Sequence, residues 1–123
     1  MTSVPKPTRR NQKATKTACV KLASKITTHN AKCLRKCGRI ALDPHHIVSG
    51  RSDRIVARMD AQIPLCRECH TWATGRPAEF NAWIEAIYPG RRRMLLAVVN
   101  VVGKMDWESI YDDLKIQAAK VGL

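Results

Sequence analysis

The chain has no run of eighteen or more apolar residues, which excludes a segment able to span a bilayer as a helix. Met1 to Lys16 carries bases but no apolar stretch, so the start does not read as a secretory signal. Without such a signal the expected setting is a reducing one, the cytoplasm, where cysteine pairs bind metal more often than they form disulfides. Acid is missing from the first third. Eleven Lys/Arg precede Asp43 with no Asp or Glu among them, while the other eleven bases are offset by all ten acids. Aromatic rings are scarce, with one Phe, two Tyr and three Trp. Trp72, Phe80 and Trp83 fall at helical stripe spacing and read as core, so few rings are left to stack on bases. That argues against single-strand-specific binding. Internal repeats and low-complexity segments are also absent.

What is present is positive charge, +12 over 123 residues with a pI near 10, and that calls for a polyanionic partner. A basic arm joined to a more balanced body suits a protein that grips nucleic acid, DNA in the first instance, through the phosphate backbone. The length fits one domain with a single modest core. Residues 1–13 read as a flexible basic arm and 14–123 as the domain, α+β in class. Its core is expected at about 33–75 and its C-terminal helices at about 77–120. Arg9, Arg10, Lys13 and Lys16 are the candidate backbone contacts at the amino end.

Taken in order, Ala18, Leu22 and Ile26 predict an amphipathic helix over 14–28, with lysines on its other face. His29 follows as a surface residue. Cys33-Leu34-Arg35-Lys36-Cys37-Gly38 resembles a zinc knuckle, in which Gly38 lets the chain turn back. Residues 39–48 predict a strand that Pro44 breaks or confines to an edge. Residues 49–62 read as a long loop, a length usually tied to function. Ile63-Pro64-Leu65 is a second strand, and a helix begins at Cys66 and runs to about Ala73. Further helices are expected from Pro77 to Tyr88, from Arg91 to Val102 across the core, and after an N-cap at Asp106. Cys19 is the odd cysteine of five and reads as a small buried hydrophobe.

Four thiols and three of the four imidazoles fall between Cys33 and His70. Cys33, Cys37, Cys66 and Cys69 supply enough soft thiolates to close a tetrahedral structural Zn2+ site. His45, His46 and His70 then remain for a second metal. Asp43 is either a further ligand or a cap of the turn before Pro44. Two imidazoles with an optional carboxylate leave positions open for water and phosphate oxygens, the mark of a catalytic site. On a strand, Asp43 and His45 face one way and His46 the other. The two histidines can therefore take different roles only if the strand ends there and the next loop curls over. In that loop Arg51, Arg54 and Arg58 are candidates to clamp a phosphate oxygen.

Asp43-Pro44-His45-His46-Ile47 and Ile63-Pro64-Leu65-Cys66-Arg67-Glu68-Cys69-His70, behind an upstream cysteine pair, resemble the HNH endonuclease family with its ββα-metal (His-Me finger) fold. Trp72, Pro77-Ala78-Glu79-Phe80, Trp83 and Tyr88-Pro89-Gly90 are similar to a compact zinc-binding subgroup found in bacteriophages and prophages. The resemblance implies a zinc-stapled ββα core with flanking helices and hydrolysis of DNA phosphodiester bonds to 5′-phosphate and 3′-hydroxyl ends. His46 would be the general base. His45 and His70, with Asp43, would hold one divalent metal, Mg2+, Mn2+, Ni2+ or Zn2+, at the scissile phosphate. An imidazole can take a proton from water at neutral pH. The family's middle asparagine is replaced by Ala61, with Asp60 and Gln62 beside it to hold the loop. That departure keeps open a second expectation, a zinc-stabilised DNA-binding or recombination accessory protein without catalysis. RNA as substrate, a homodimer and a phage protein partner are compatible too.

Overall fold

The computed structural model describes residues 9–49 and 52–123, with side chains from Gln12 onward. Met1 to Thr8, the side chains of Arg9 and Arg10, and Arg51 lie outside the described residues. Among those described, the fold is α+β: five α-helices and one two-stranded antiparallel sheet. None of the helices is long and apolar enough to cross a membrane.

Helix α1 (Arg9–Thr28) starts five residues before the predicted boundary, so residues 9–13 of the expected arm are helical. Its buried stripe is also rotated. Cys19, Ala23 and Thr27 are the residues fully buried, not Ala18, Leu22 and Ile26. Small side chains at that spacing let helix α5 (Trp107–Lys120) approach closely. The Cys19 Sγ donates to the Trp107 carbonyl at 3.3 Å, and Thr27 Oγ1 satisfies itself on the Ala23 carbonyl at 2.9 Å.

Strand β1 (Asp43–His46) pairs with β2 (Gln62–Leu65), and the register sets Pro44 opposite Pro64. The Ile47 N–H donates to Ala61 O at 2.8 Å, so by alternation the proline pair occupies a non-hydrogen-bonded position. Neither missing N–H costs a ladder bond. Pro44 therefore lies within the strand and does not break it, and the strand is shorter than residues 39–48 because Ile40 makes only an isolated bridge to Lys32. The outward Pro64 carbonyl accepts the Leu34 N–H at 2.9 Å, tying the knuckle to the sheet.

Helix α2 (Arg67–Gly75) follows β2 with Cys66 as its N-cap, and helix α3 (Pro77–Ile87) starts with proline in its first turn. Gly75 lies inside α2, so Arg76 makes the turn between them. Gly90, at φ +79°, turns the chain into helix α4 (Arg91–Val99). Helix α4 stops three residues short of the predicted end. Of its apolar run only Leu95 is fully buried, with Met94, Val98 and Val99 packed at the core's edge.

Residues 49–62, expected as a long loop, contain turns, a 3-10 segment (Met59–Ala61) and, among the described residues, four buried side chains, Ile55, Ala57, Ala61 and Gln62. They also join two apolar clusters where one core was expected. Ile55 and Ala61 pack with the sheet, α2, α3 and α4; Ala57, with Val56 and Met59 at its edge, packs with α1 and α5. Cavity costs follow from these placements. Leu95→Ala should lower the unfolding free energy by about 3 kcal/mol in urea titrations, whereas Val102→Ala, at 96% exposure, should stay within about 0.5 kcal/mol.

Candidate metal centre and histidine cleft

The knuckle folds through its own backbone. Cys33 N–H donates to Arg39 O at 2.9 Å, Lys36 N–H to Cys33 O at 3.0 Å, and Gly38 takes φ +80°. That turn carries Cys33 and Cys37 to the start of α2, where Cys66 Sγ caps the helix by accepting the Cys69 N–H at 3.4 Å. The sulfurs of Cys33, Cys37, Cys66 and Cys69 all lie within 4.8 Å of one another. A tetrahedral zinc site with Zn–S bonds of about 2.3 Å has sulfur–sulfur edges of about 3.8 Å, so the four fit that ion. All are free thiols, and Cys37 and Cys66 stand 3.5 Å apart, far beyond the disulfide length of about 2 Å.

Charge makes the same point. The Cys69 N–H pulls the Cys66 thiol down to about 6, while burial, then the neighbouring thiols, push Cys69 up to about 12. The cluster by itself favours one thiolate and disfavours four; a dication would supply the missing charge. Arg35 lies 3.6 Å over the Trp72 ring and its Nη1 donates to Cys69 Sγ at 3.7 Å, placing a cation beside the sulfurs. Arg39 pairs with Glu68 across the same junction.

The histidines gather next to this cluster. His45 on β1 and His70 on α2 stand edge to face with ring centroids 5.0 Å apart, and His45 also meets Phe80 at 4.7 Å. Burial, followed by the neighbouring His70 and His46, lowers the His45 imidazole to about 4. The ring is thus uncharged at neutral pH, the form that can donate a lone pair to a metal. Asp43 Oδ2 accepts from His70 Nδ1 at 3.0 Å, which leaves His70 Nε2 as the unprotonated nitrogen of the neutral ring. Asp43 therefore orients His70 and does not cap the turn before Pro44. Among the described residues, only the four cysteines bring three or more ligand atoms together; Asp43, His45 and His70 are neighbours without converging in that way.

β1 ends at His46, and the following segment does curl back over it. Ile55 and Val56 N–H both turn onto the Ser52 carbonyl, and the Val56 carbonyl meets His46 Nε2 at 3.2 Å. A carbonyl only accepts, so Nε2 carries the proton and Nδ1 is the available base. Asp60 grips Arg58 with two parallel bonds at 2.9 and 2.8 Å, and Gln62 Nε2 reaches the Arg58 carbonyl at 3.5 Å. Those two residues flank Ala61 and hold the loop through one arginine.

The described candidate cations scatter. Lys16 pairs with Asp53 at 2.5 Å, Arg54 donates to the Gly103 carbonyl, and Arg58 is taken by Asp60; among the described ones, Lys13 is exposed without such a partner. Arg54 and Arg58 line a cleft of about 450 Å3 against α5 that contains no histidine or cysteine. A separate cleft of about 400 Å3 holds both His45 and His46, and its polar rim includes Asn81 and Arg92. The sequence marks the Arg91-Arg92-Arg93 run as either a DNA-backbone contact or a polar helix start, but it singles out neither Arg92 within that run nor Asn81. Their position depends on how the α3–α4 turn seats against β1.

The metal centre has direct consequences. Purified chain should contain one zinc per molecule by elemental analysis. Serine in place of Cys33, Cys37, Cys66 or Cys69 should release it, and Cys19→Ser should not. Chelation should lower the thermal midpoint by at least about 10 °C, and acid should release the ion because protons compete for the thiolates.

No family model matches the chain, and neither a curated protein nor a solved structure matches it. The functional reading therefore rests on the geometry of its own residues.

Proposed function

We propose that the chain is a metal-dependent endonuclease of the HNH type, with β1, β2 and α2 as its ββα core. The observation that carries the reading is the meeting of His45, His46 and His70 in and beside one cleft, each ring held by a different constraint. Burial keeps His45 neutral, Asp43 orients His70, and the Val56 carbonyl orients His46.

On this reading His45 and the Nε2 of His70 hold one divalent ion, with Asp43 acting through its hydrogen bond to His70. The ion's chemistry when bound would be to stabilise charge on the phosphate and on the leaving 3′ oxygen. The chain's own residues do the rest. His46 Nδ1 takes a proton from water, the water oxygen attacks phosphorus, and the strand bearing the 3′ oxygen departs to leave a 5′-phosphate. The Val56 carbonyl holds the ring so that Nδ1 is the nitrogen presented, and it stabilises the imidazolium that forms. The four-cysteine centre takes no part in the chemistry and fixes α2 against the hairpin.

The accessory-protein reading draws on one observation, Ala61 in the asparagine position. Asp60 and Gln62 weigh against it, because they anchor the same loop by other bonds. A plasmid nicking assay with Mg2+, Mn2+, Ni2+ or added Zn2+ separates the two. The nuclease reading expects nicked or linear product and a loss of at least about a hundredfold in His46→Ala. No cutting with any metal would establish the accessory reading. Equal cutting by His46→Ala would remove the base assignment. Competition with duplex RNA identifies the preferred substrate.

A further inference from the structure

We propose that Arg92, with Asn81 lining the same cleft, is the phosphate grip of the histidine cleft, a role that neither Arg54 nor Arg58 fills. The inference rests on reading this cleft as the site where duplex DNA is held.

Among the described residues, the cleft of about 400 Å3 has no acidic side chain on its wall, and Arg92 is the one permanently charged side chain lining it. The fixed charge that the described lining brings to the cleft is therefore positive. Arg92 and Asn81 are each half-buried, and neither has a hydrogen-bond or ion-pair partner among the described residues. The polar atoms of both stay open to solvent and are not spent on internal bonds, so they are free to meet an anion that enters the cleft. The two neighbours of Arg92 differ. Arg91 lies 4.0 Å over the Tyr88 ring, and Arg93 is exposed and is not part of this cleft's lining. All three occupy the first turn of α4 with no acid there, against the helix dipole. Stability alone does not favour that placement.

The lining mixes apolar side chains, Phe80 and Leu96, with polar ones, His46, Ser49, Asn81 and Arg92, as the apolar and polar parts of a nucleotide require. A phosphodiester has two non-bridging oxygens, which the planar fork of an arginine can engage together. The Asn81 amide offers both a donor and an acceptor to the adjoining sugar-phosphate oxygens. Gly90 and the α3–α4 turn hold both side chains on rigid helices, so the grip is built before the ligand arrives.

The test is anisotropy of a fluorescein-labelled 20-base-pair DNA duplex between 50 and 300 mM salt. It is run on the zinc-loaded full chain carrying His46→Ala, so that the probe stays intact. Adding Arg92→Gln should weaken binding about tenfold and reduce the slope of log affinity against log salt by about 1. Arg92→Lys should keep the slope and recover part of the affinity. Asn81→Ala should weaken binding without changing the slope. Lys115→Gln removes the same charge from α5, where it is paired with Asp112, and should change neither quantity. Matched thermal midpoints show that the variants are folded. Arg92→Gln binding with the parent's affinity and slope overturns the proposal, as does a parent that binds no duplex. Plasmid nicking by the chain with His46 intact reports on the nuclease reading independently. A chain that does not cut but loses affinity in Arg92→Gln keeps this inference and loses that one.

Discussion

Four thiols from two separate turns converge on one point, and the rest of the site depends on that convergence. The knuckle contributes two sulfurs and the start of α2 the other two, so the β1–β2 hairpin between them is clamped at its open end. His70 follows Cys69 directly, and its ring position is therefore set by the same clamp. His45 lies two residues beyond Asp43 on the facing strand, on the side that α2 covers. One constraint thus brings two imidazoles and a carboxylate to within contact of each other. A ZnS4 centre with a dication still carries excess negative charge. Arg35, stacked on Trp72 and bonded to Cys69, offsets part of it.

The second constraint is the segment from Ser52 to Gln62. It packs Ile55 and Ala61 into one apolar cluster and Ala57 into the other, so it can hardly move without disturbing both. That rigidity fixes the Val56 carbonyl, which in turn selects the nitrogen that His46 presents. Gln62 pins the same segment from β2 but leaves its Oε1 buried without a partner, a cost of about 1–3 kcal/mol that the anchoring must offset.

Much of the frame was legible from local chemistry. Cys33, Cys37, Cys66 and Cys69 stand out by type and spacing, Pro77 marks the start of α3, and Asp106 does cap α5 through the Ser109 N–H. Alternation along β1 placed Asp43 and His45 on one face. The failures share a cause, which is that they depend on what an element packs against. The α1 stripe was misread by one residue because Cys19 and Thr27 look less apolar than Leu22 and Ile26, yet only small side chains admit α5. The 49–62 segment reads as a long loop because its buried residues among those described, Ile55, Ala57, Ala61 and Gln62, follow no period. Among the arginines, composition favoured the loop and the arm, but Arg54 and Arg58 are spent on internal bonds. Arg92 stands in a basic run visible in the sequence, but that it lines the cleft of His45 and His46 depends on the seating of α4, which no local pattern records.

The division of labour between cysteines and histidines is the central claim, and X-ray absorption at the zinc edge of the purified chain tests it most directly. A centre closed by Cys33, Cys37, Cys66 and Cys69 should give a first shell of four sulfurs at about 2.3 Å and no imidazole scattering. In chain carrying one zinc per molecule, a mixed shell with nitrogen at about 2.0–2.1 Å would mean that an imidazole, with His70 the nearest by sequence, had entered the structural site. That result would contradict the account, because the histidines would no longer be free for the cleft.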